Sequence, residues 1–173
     1  MTSSFSIVRI VRIVLGSALA AVAALQAAAA PKPGTAAPAF NLPHLVNARN
    51  AVSLESLEGK VVLVDFWASW CPPCKKTLPH LGRLRRQHPD LAVVAVTVDE
   101  DRMKALEFLH PRDTSVVFLH DAKRSVAEAY DPGGMPSLFL IDKKGVLRYR
   151  HDGYTEKDMK AIEAEIVKLT GEP

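Results

Sequence analysis

VVLVDFWASWCPPCK, Val61–Lys75, decides how the rest of the chain is read. Its first seven residues are apolar or aromatic save one acid, Asp65, as expected of a strand covered on both faces. Its last five hold both cysteines of the chain, Cys71 and Cys74, with Pro72 and Pro73 between them. Pro72–Gln87 then reads as a helix with Leu78, Leu81 and Leu84 at one-turn spacing and Pro79 as a kink. The sulfur chemistry of the whole protein therefore sits where a buried strand turns into a helix.

Working outward, strand and helix patterns alternate. Ala39–Leu42 and Ala51–Leu54 predict a short hairpin before the long strand. Leu91–Val98, LAVVAVTV, predicts a second buried strand. Asp101–His110 predicts a helix with Met103, Leu106 and Leu109 inward, followed by a strand at Val116–Leu119 and a helix at Ala122–Tyr130. Ser137–Asp142 and Val146–His151, split by the turn residues DKKG, predict a hairpin. Thr155–Thr170 closes the chain with Met159, Ile162, Ile166 and Leu169 on one helical face and Gly171 at its stop. The fold class expected is α/β, a mixed sheet flanked by helices. No internal repeat is visible.

The first thirty residues differ in composition. They contain no Asp or Glu, carry Arg9 and Arg12, run apolar from Ile13 to Leu25, and end in AAAA at Ala27–Ala30. That order matches an export signal, or an N-terminal membrane anchor if it is retained. Residues 31–38, rich in Pro, Ala and Gly, read as a flexible spacer, and residues 39–173 as the domain. Loss of Arg9 and Arg12 lowers the formal net charge of +3 by two, so the basic pI of 8.9 belongs partly to the leader. No basic tract is interleaved with aromatics, which argues against nucleic acid as a partner. RLRR at Arg83–Arg86 is the solvated face of a helix.

Cysteines at i and i+3 at a helix start share one face, near the roughly 4.4–6.8 Å Cα separation a disulfide requires. The pair can cycle between dithiol and disulfide with little backbone movement. Cys71 precedes the helix, where free N–H groups and the dipole favour a thiolate. Cys74, one turn in, is expected to be buried and less acidic. Cys71 then attacks and Cys74 resolves the mixed disulfide. Pro72 and Pro73 suit the first helical positions, but they also remove two N–H donors, which makes the pair less acidic and more reducing. A zinc site lacks a second cysteine pair, a covalent haem site lacks His at position 75, and a structural disulfide across two residues would contribute little. Two thiolates binding Cu(I) are an alternative. His44, His80, His88, His110, His120 and His151 show no ligand spacing to the pair, so no resident metal or other cofactor is expected. A thiol peroxidase would carry Thr two residues before its cysteine, where this chain has Ser69.

Asp65, within the buried run, is expected to face the interior with a raised pKa and to accept the proton of Cys74. GGMPS, Gly133–Ser137, places Pro136 where a strand begins, which suits a tight turn, a cis bond and a backbone platform for an extended substrate.

VDFWASWCPPCK, then Pro79, then GMPSLFLID about sixty residues on, resembles the thioredoxin superfamily. The leader, the early hairpin and the extra helix–strand before GMP resemble its exported TlpA/ResA-like branch, over Ala37 to Leu169. The resemblance implies a thioredoxin-like fold with an N-terminal β-hairpin and a central helix–strand insertion. It implies that Cys71 is the nucleophile, Cys74 the resolving thiol and Pro136 the cis-proline opposite them. Trp70 and Pro72 would flank bound substrate, and Met135 would offer its backbone to it. The function implied is reduction of disulfides in periplasmic or exported proteins, such as apocytochrome c or copper-handling proteins. A membrane thiol–disulfide donor would re-reduce the pair, and the membrane would otherwise be touched only by an uncleaved leader. Two positions depart from the pattern. Thr77 stands where that branch often has an acid, and Asp65 stands where it often has Asn. Thioredoxin's lysine near its aspartate aligns with Ala95, so Asp65 is expected to lack a cationic neighbour.

Overall fold

A computed structural model describes residues 30–109 and 114–171. The leader, and His110 at the end of the second predicted helix, lie outside the described residues. The elements run β1 (Asn41–Pro43), β2 (Ala51–Ser53), a 3₁₀ turn (Glu55–Leu57), β3 (Val61–Trp67), α1 (Cys74–Gln87) and β4 (Leu91–Thr97). Then come α2 (Arg102–Phe108), β5 (Val117–His120), α3 (Ser125–Tyr130), β6 (Ser137–Ile141), β7 (Leu147–Asp152) and α4 (Glu156–Gly171). Five strands form one sheet in the order β5-β4-β3-β6-β7, and β1 and β2 form a separate antiparallel pair. β4 runs parallel to β3 and β5, whereas β6 runs antiparallel to β3 and β7. The mixed sheet flanked by helices and the N-terminal hairpin are thus as expected.

β3 is central, with all seven residues buried, which is why its sequence shows no alternation. α1 turns Leu78, Leu81 and Leu84 onto the sheet, and α4 turns Met159, Ile162, Ile166 and Leu169 inward. Thr155 begins α4 by accepting from Asp158 N at 3.2 Å, while its hydroxyl donates to the Asp158 carboxylate. The β6–β7 turn is set by Asp142, whose Oδ1 accepts from Lys144 N and Val146 N at 2.9 Å each. Gly145 closes the turn at φ 76°, a conformation costly for any side chain.

Two expectations are corrected. Residues 31–38 are not a free spacer. Gly34 N donates to Leu147 O at 2.7 Å, Leu147 N to Thr35 O at 2.9 Å and Ala37 N to Gly145 O at 2.9 Å. The Tyr130 hydroxyl donates to Pro38 O at 2.8 Å. These backbone amides cover the start of β7, an edge strand in need of partners, and a pattern of side chains carries no sign of that. Along α2 and its C-cap, Leu109 is buried and Leu106 packs against the core as expected, but Ala105 is buried and Met103 is 67% exposed. Asp101 caps the helix through Met103 N at 2.9 Å, so the register follows the cap rather than the apolar count.

Candidate active site

The topology gathers the chemistry at one end of the sheet. β3 ends at Trp67, β4 at Thr97 and β7 at Asp152, while antiparallel β6 begins there at Ser137. Pairing of Phe66 with Ser137 and of Trp67 with Thr97 sets the 68–74 and 131–136 loops side by side. Cys71 lies in the first loop, three residues before α1, and is bonded to Cys74 with Cα atoms 5.5 Å apart. Cys71 is 3% exposed and Cys74 0%, so the first cysteine is the less deeply buried of the two. The Cys74 backbone N–H donates toward Cys71 Sγ at 3.3 Å. After reduction that donor faces the thiolate of Cys71, as a helix start should. Pro72 and Pro73 are exposed and withhold the two intervening donors.

Met135–Pro136 is a cis peptide, with Pro136 buried at the head of β6. Trp70, 62% exposed, and Met135 line one cleft of about 330 Å³ together with Val98, Ala127, Glu128 and Pro132. The structure thus brings Met135 to the same cleft as Trp70, the residue that precedes Cys71 in the chain. An exposed tryptophan next to a reactive cysteine offers a large apolar face to a partner.

Asp65 is 0% exposed, and neither carboxylate oxygen has a hydrogen-bond partner. Burial pushes its carboxyl well above the usual range. Its sheet neighbours are Ala95 and Leu138, so no cation from β4 or β6 opposes that shift. Thr77, in place of the branch's acid, is buried with its hydroxyl 3.5 Å from Pro73 O. Lys75 Nζ lies 5.2 Å from the Phe108 ring centroid, and Phe108 stacks on buried Trp67 at 5.4 Å.

Asp99 was not singled out by the sequence, yet it ties the cysteine loop down. At 4% exposure it accepts from Ser69 N at 2.8 Å, Ser69 Oγ at 2.7 Å and Thr97 Oγ1 at 2.6 Å. Its only sequence signal was an acid closing the buried run LAVVAVTVD. Asp99→Ala leaves three donors without an acceptor, and about 1–3 kcal/mol of stability should go with them. The urea midpoint should fall while the m-value holds, and an unchanged midpoint would refute this role.

Among the described residues no group of three or more His, Cys, Asp or Glu is placed to hold a metal ion. No described helix is long and apolar enough to cross a membrane.

Comparisons with known proteins agree with this geometry. The Redoxin family model matches residues 32–166. The thiol:disulfide interchange protein DsbE of Allochromatium vinosum is 31% identical over 75% of this chain and 71% of its own length. The thiol-disulfide oxidoreductase ResA of Oceanobacillus iheyensis is 33% identical over 65% of this chain, and the match spans 60% of that relative. A crystal structure from Chlorobium tepidum, assigned as a thiol:disulfide interchange protein DsbE, has a TM-score of 0.77 at 33% identity. It covers 82% of this chain and all (100%) of its own. The chain belongs to the Redoxin family and, within it, to the ResA/DsbE-type thiol-disulfide oxidoreductases.

Proposed function

We propose that the protein is an exported reductant of protein disulfides. The observation that carries this reading is the asymmetry of the pair. Cys71 keeps a small exposed surface and its sulfur accepts from a backbone donor, whereas Cys74 is fully buried. In the reduced form the Cys71 thiolate attacks one sulfur of a substrate disulfide, forming a new S–S bond and releasing the other sulfur as a thiol. Cys74 then loses its proton to the Asp65 carboxylate and attacks Cys71 Sγ. The second substrate thiol leaves, and two electrons have passed from the dithiol to the substrate. The raised pKa of Asp65 makes it a stronger proton acceptor than an ordinary carboxylate. Trp70, Pro72, Met135 and Pro136 hold the extended substrate backbone during attack.

The relatives' names suggest disulfide-bearing protein substrates, and residues 1–30 have the composition of an export signal or anchor. Apocytochrome c or copper-handling proteins as substrates, and a membrane thiol donor that restores the dithiol, complete the proposal. Cu(I) held by the two thiolates is the second reading, favoured by their shared helix start.

Equilibration with glutathione tests the direction. A potential near that of thioredoxin, about −270 mV, is expected, and one near the oxidant DsbA, about −120 mV, would reverse the assignment. Absence of any catalysed insulin reduction, together with tight Cu(I) uptake by the reduced protein, would transfer the function to the metal reading.

A further inference from the structure

The loop that carries Met135–Pro136 has its own anchor, supplied by the far end of β7. Asp152 pairs with Ser137 in the sheet, and its side chain turns toward the loop. Asp152 Oδ1 lies 2.6 Å from Ser137 Oγ and accepts from Gly133 N at 3.2 Å. Ser137 is fully buried, and its Oγ lies between Asp152 Oδ1 and Gly134 O, 2.5 Å from the latter, with one hydrogen to share between the carboxylate and the loop carbonyl. Arg150 Nη2 bridges the same region, donating to Asp131 O at 2.5 Å and lying 3.4 Å from Asp152 Oδ2. Gly153 N completes the anchor with a bond to Pro136 O at 2.7 Å.

Gly133 exists as glycine because of this contact. A Cβ there would stand 2.6 Å from Asp152 Oδ2 and 3.1 Å from its Cγ. The carboxylate thus occupies the space a side chain at 133 would need. Burial works against its charge, but hydrogen bonds from Ser137 and Gly133 N and the Arg150 guanidinium hold its carboxyl below the usual range.

Asp131, Pro132 and Met135 form one wall of the cleft whose other wall is Trp70. We propose that Asp152, with Arg150, is a positioning residue that sets this wall for polypeptide substrate, acting on substrate capture and not on the sulfur chemistry. None of its contacts reaches Cys71 or Cys74, so the dithiol–disulfide equilibrium should be indifferent to it. The inference rests on the oxidoreductase reading, since it needs a substrate that docks against Met135.

The test is steady-state insulin reduction by the full chain, paired with glutathione equilibration. Asp152→Ala should raise KM about tenfold, the size expected for losing a charge-assisted anchor, with kcat within about twofold. The glutathione equilibrium constant should change less than about twofold. Gly133→Ala should raise KM similarly, and in the Asp152→Ala background it should add little, because the atoms it would strike are gone. If Asp152→Ala does not fold, Arg150→Gln is read in the same assay and should move KM in the same direction. An unchanged KM, a loss in kcat alone, independent multiplication of the two effects, or a tenfold shift in the glutathione constant would overturn the proposal. Failure of the natural protein to reduce insulin would instead sink the oxidoreductase reading on which it stands.

Discussion

Cys71→Ser should abolish insulin reduction, with a loss on the order of 10³-fold or more, because it removes the nucleophile itself. Cys74→Ser should behave differently. The first attack survives in it, since Cys71 is untouched and the backbone N–H of residue 74 still points at its sulfur. Resolution does not, so a mixed disulfide between Cys71 and an insulin chain should accumulate in roughly one equivalent and stop turnover. Mass spectrometry of the acid-quenched reaction reads the adduct directly. A Cys71→Ser protein that still turns over, or an adduct carried on Cys74, would invert the roles assigned to the two sulfurs. Serine is the right replacement because it preserves size while lacking a thiolate, so a lost rate is not a lost fold.

Asp65→Ala carries the second large effect, and it runs in two directions. The natural carboxyl is fully buried with both oxygens unpartnered, and burial raises its pKa above the unfolded value. Between the unfolded and folded pKa values the native state therefore holds more protons than the unfolded chain. Stability falls as pH rises through that window, and the full penalty remains above it. Below pH about 3.8 both states are protonated and the penalty vanishes. The variant should accordingly be more stable than the natural protein at pH 8, by roughly 1–3 kcal/mol, the cost of a buried unsatisfied polar group. Near pH 4 the advantage should shrink or reverse, because the small cavity left by the carboxylate then stands alone. Urea melts at the two pH values decide this, and a variant weaker at pH 8 than at pH 4, relative to the natural chain, would contradict it.

The same substitution should slow resolution of the mixed disulfide. Loss of a positioned proton acceptor typically costs about 10²-fold or more in the step it serves. Single-turnover reduction should then show a normal first phase and a delayed release of the second thiol. Equal rates for the two proteins would leave Asp65 as a buried acid without a part in the reaction. A buried, unpartnered acid within the central strand costs stability, and a role in the reaction would account for its presence.

Much of this protein was legible before any coordinates. The short, β-branched, unbroken apolar runs of β3 and β4 read as strands buried on both faces, and the leucine spacing of α1 and the single apolar face of α4 carry the helical period. CPPC at a helix start fixed the chemistry, because two cysteines three apart can close a ring without moving the chain. Asp65 was recognisable as a buried acid from its place in an apolar run. Two local readings failed where a single contact outweighed the pattern. Asp101 caps α2 in a register that leaves Met103 outward, and the open edge of β7 holds residues 34–37 by backbone hydrogen bonds.

What no sequence pattern could supply was the meeting of distant strand ends. Asp99 lies 30 residues from the Ser69 it holds, and Asp152 lies 19 from Gly133. A carboxylate at the close of a strand looks the same on the page whether it meets water or fastens a loop. Only strand order and register decide which, because they determine what chain the antiparallel β6 and β7 bring beside the sulfur pair.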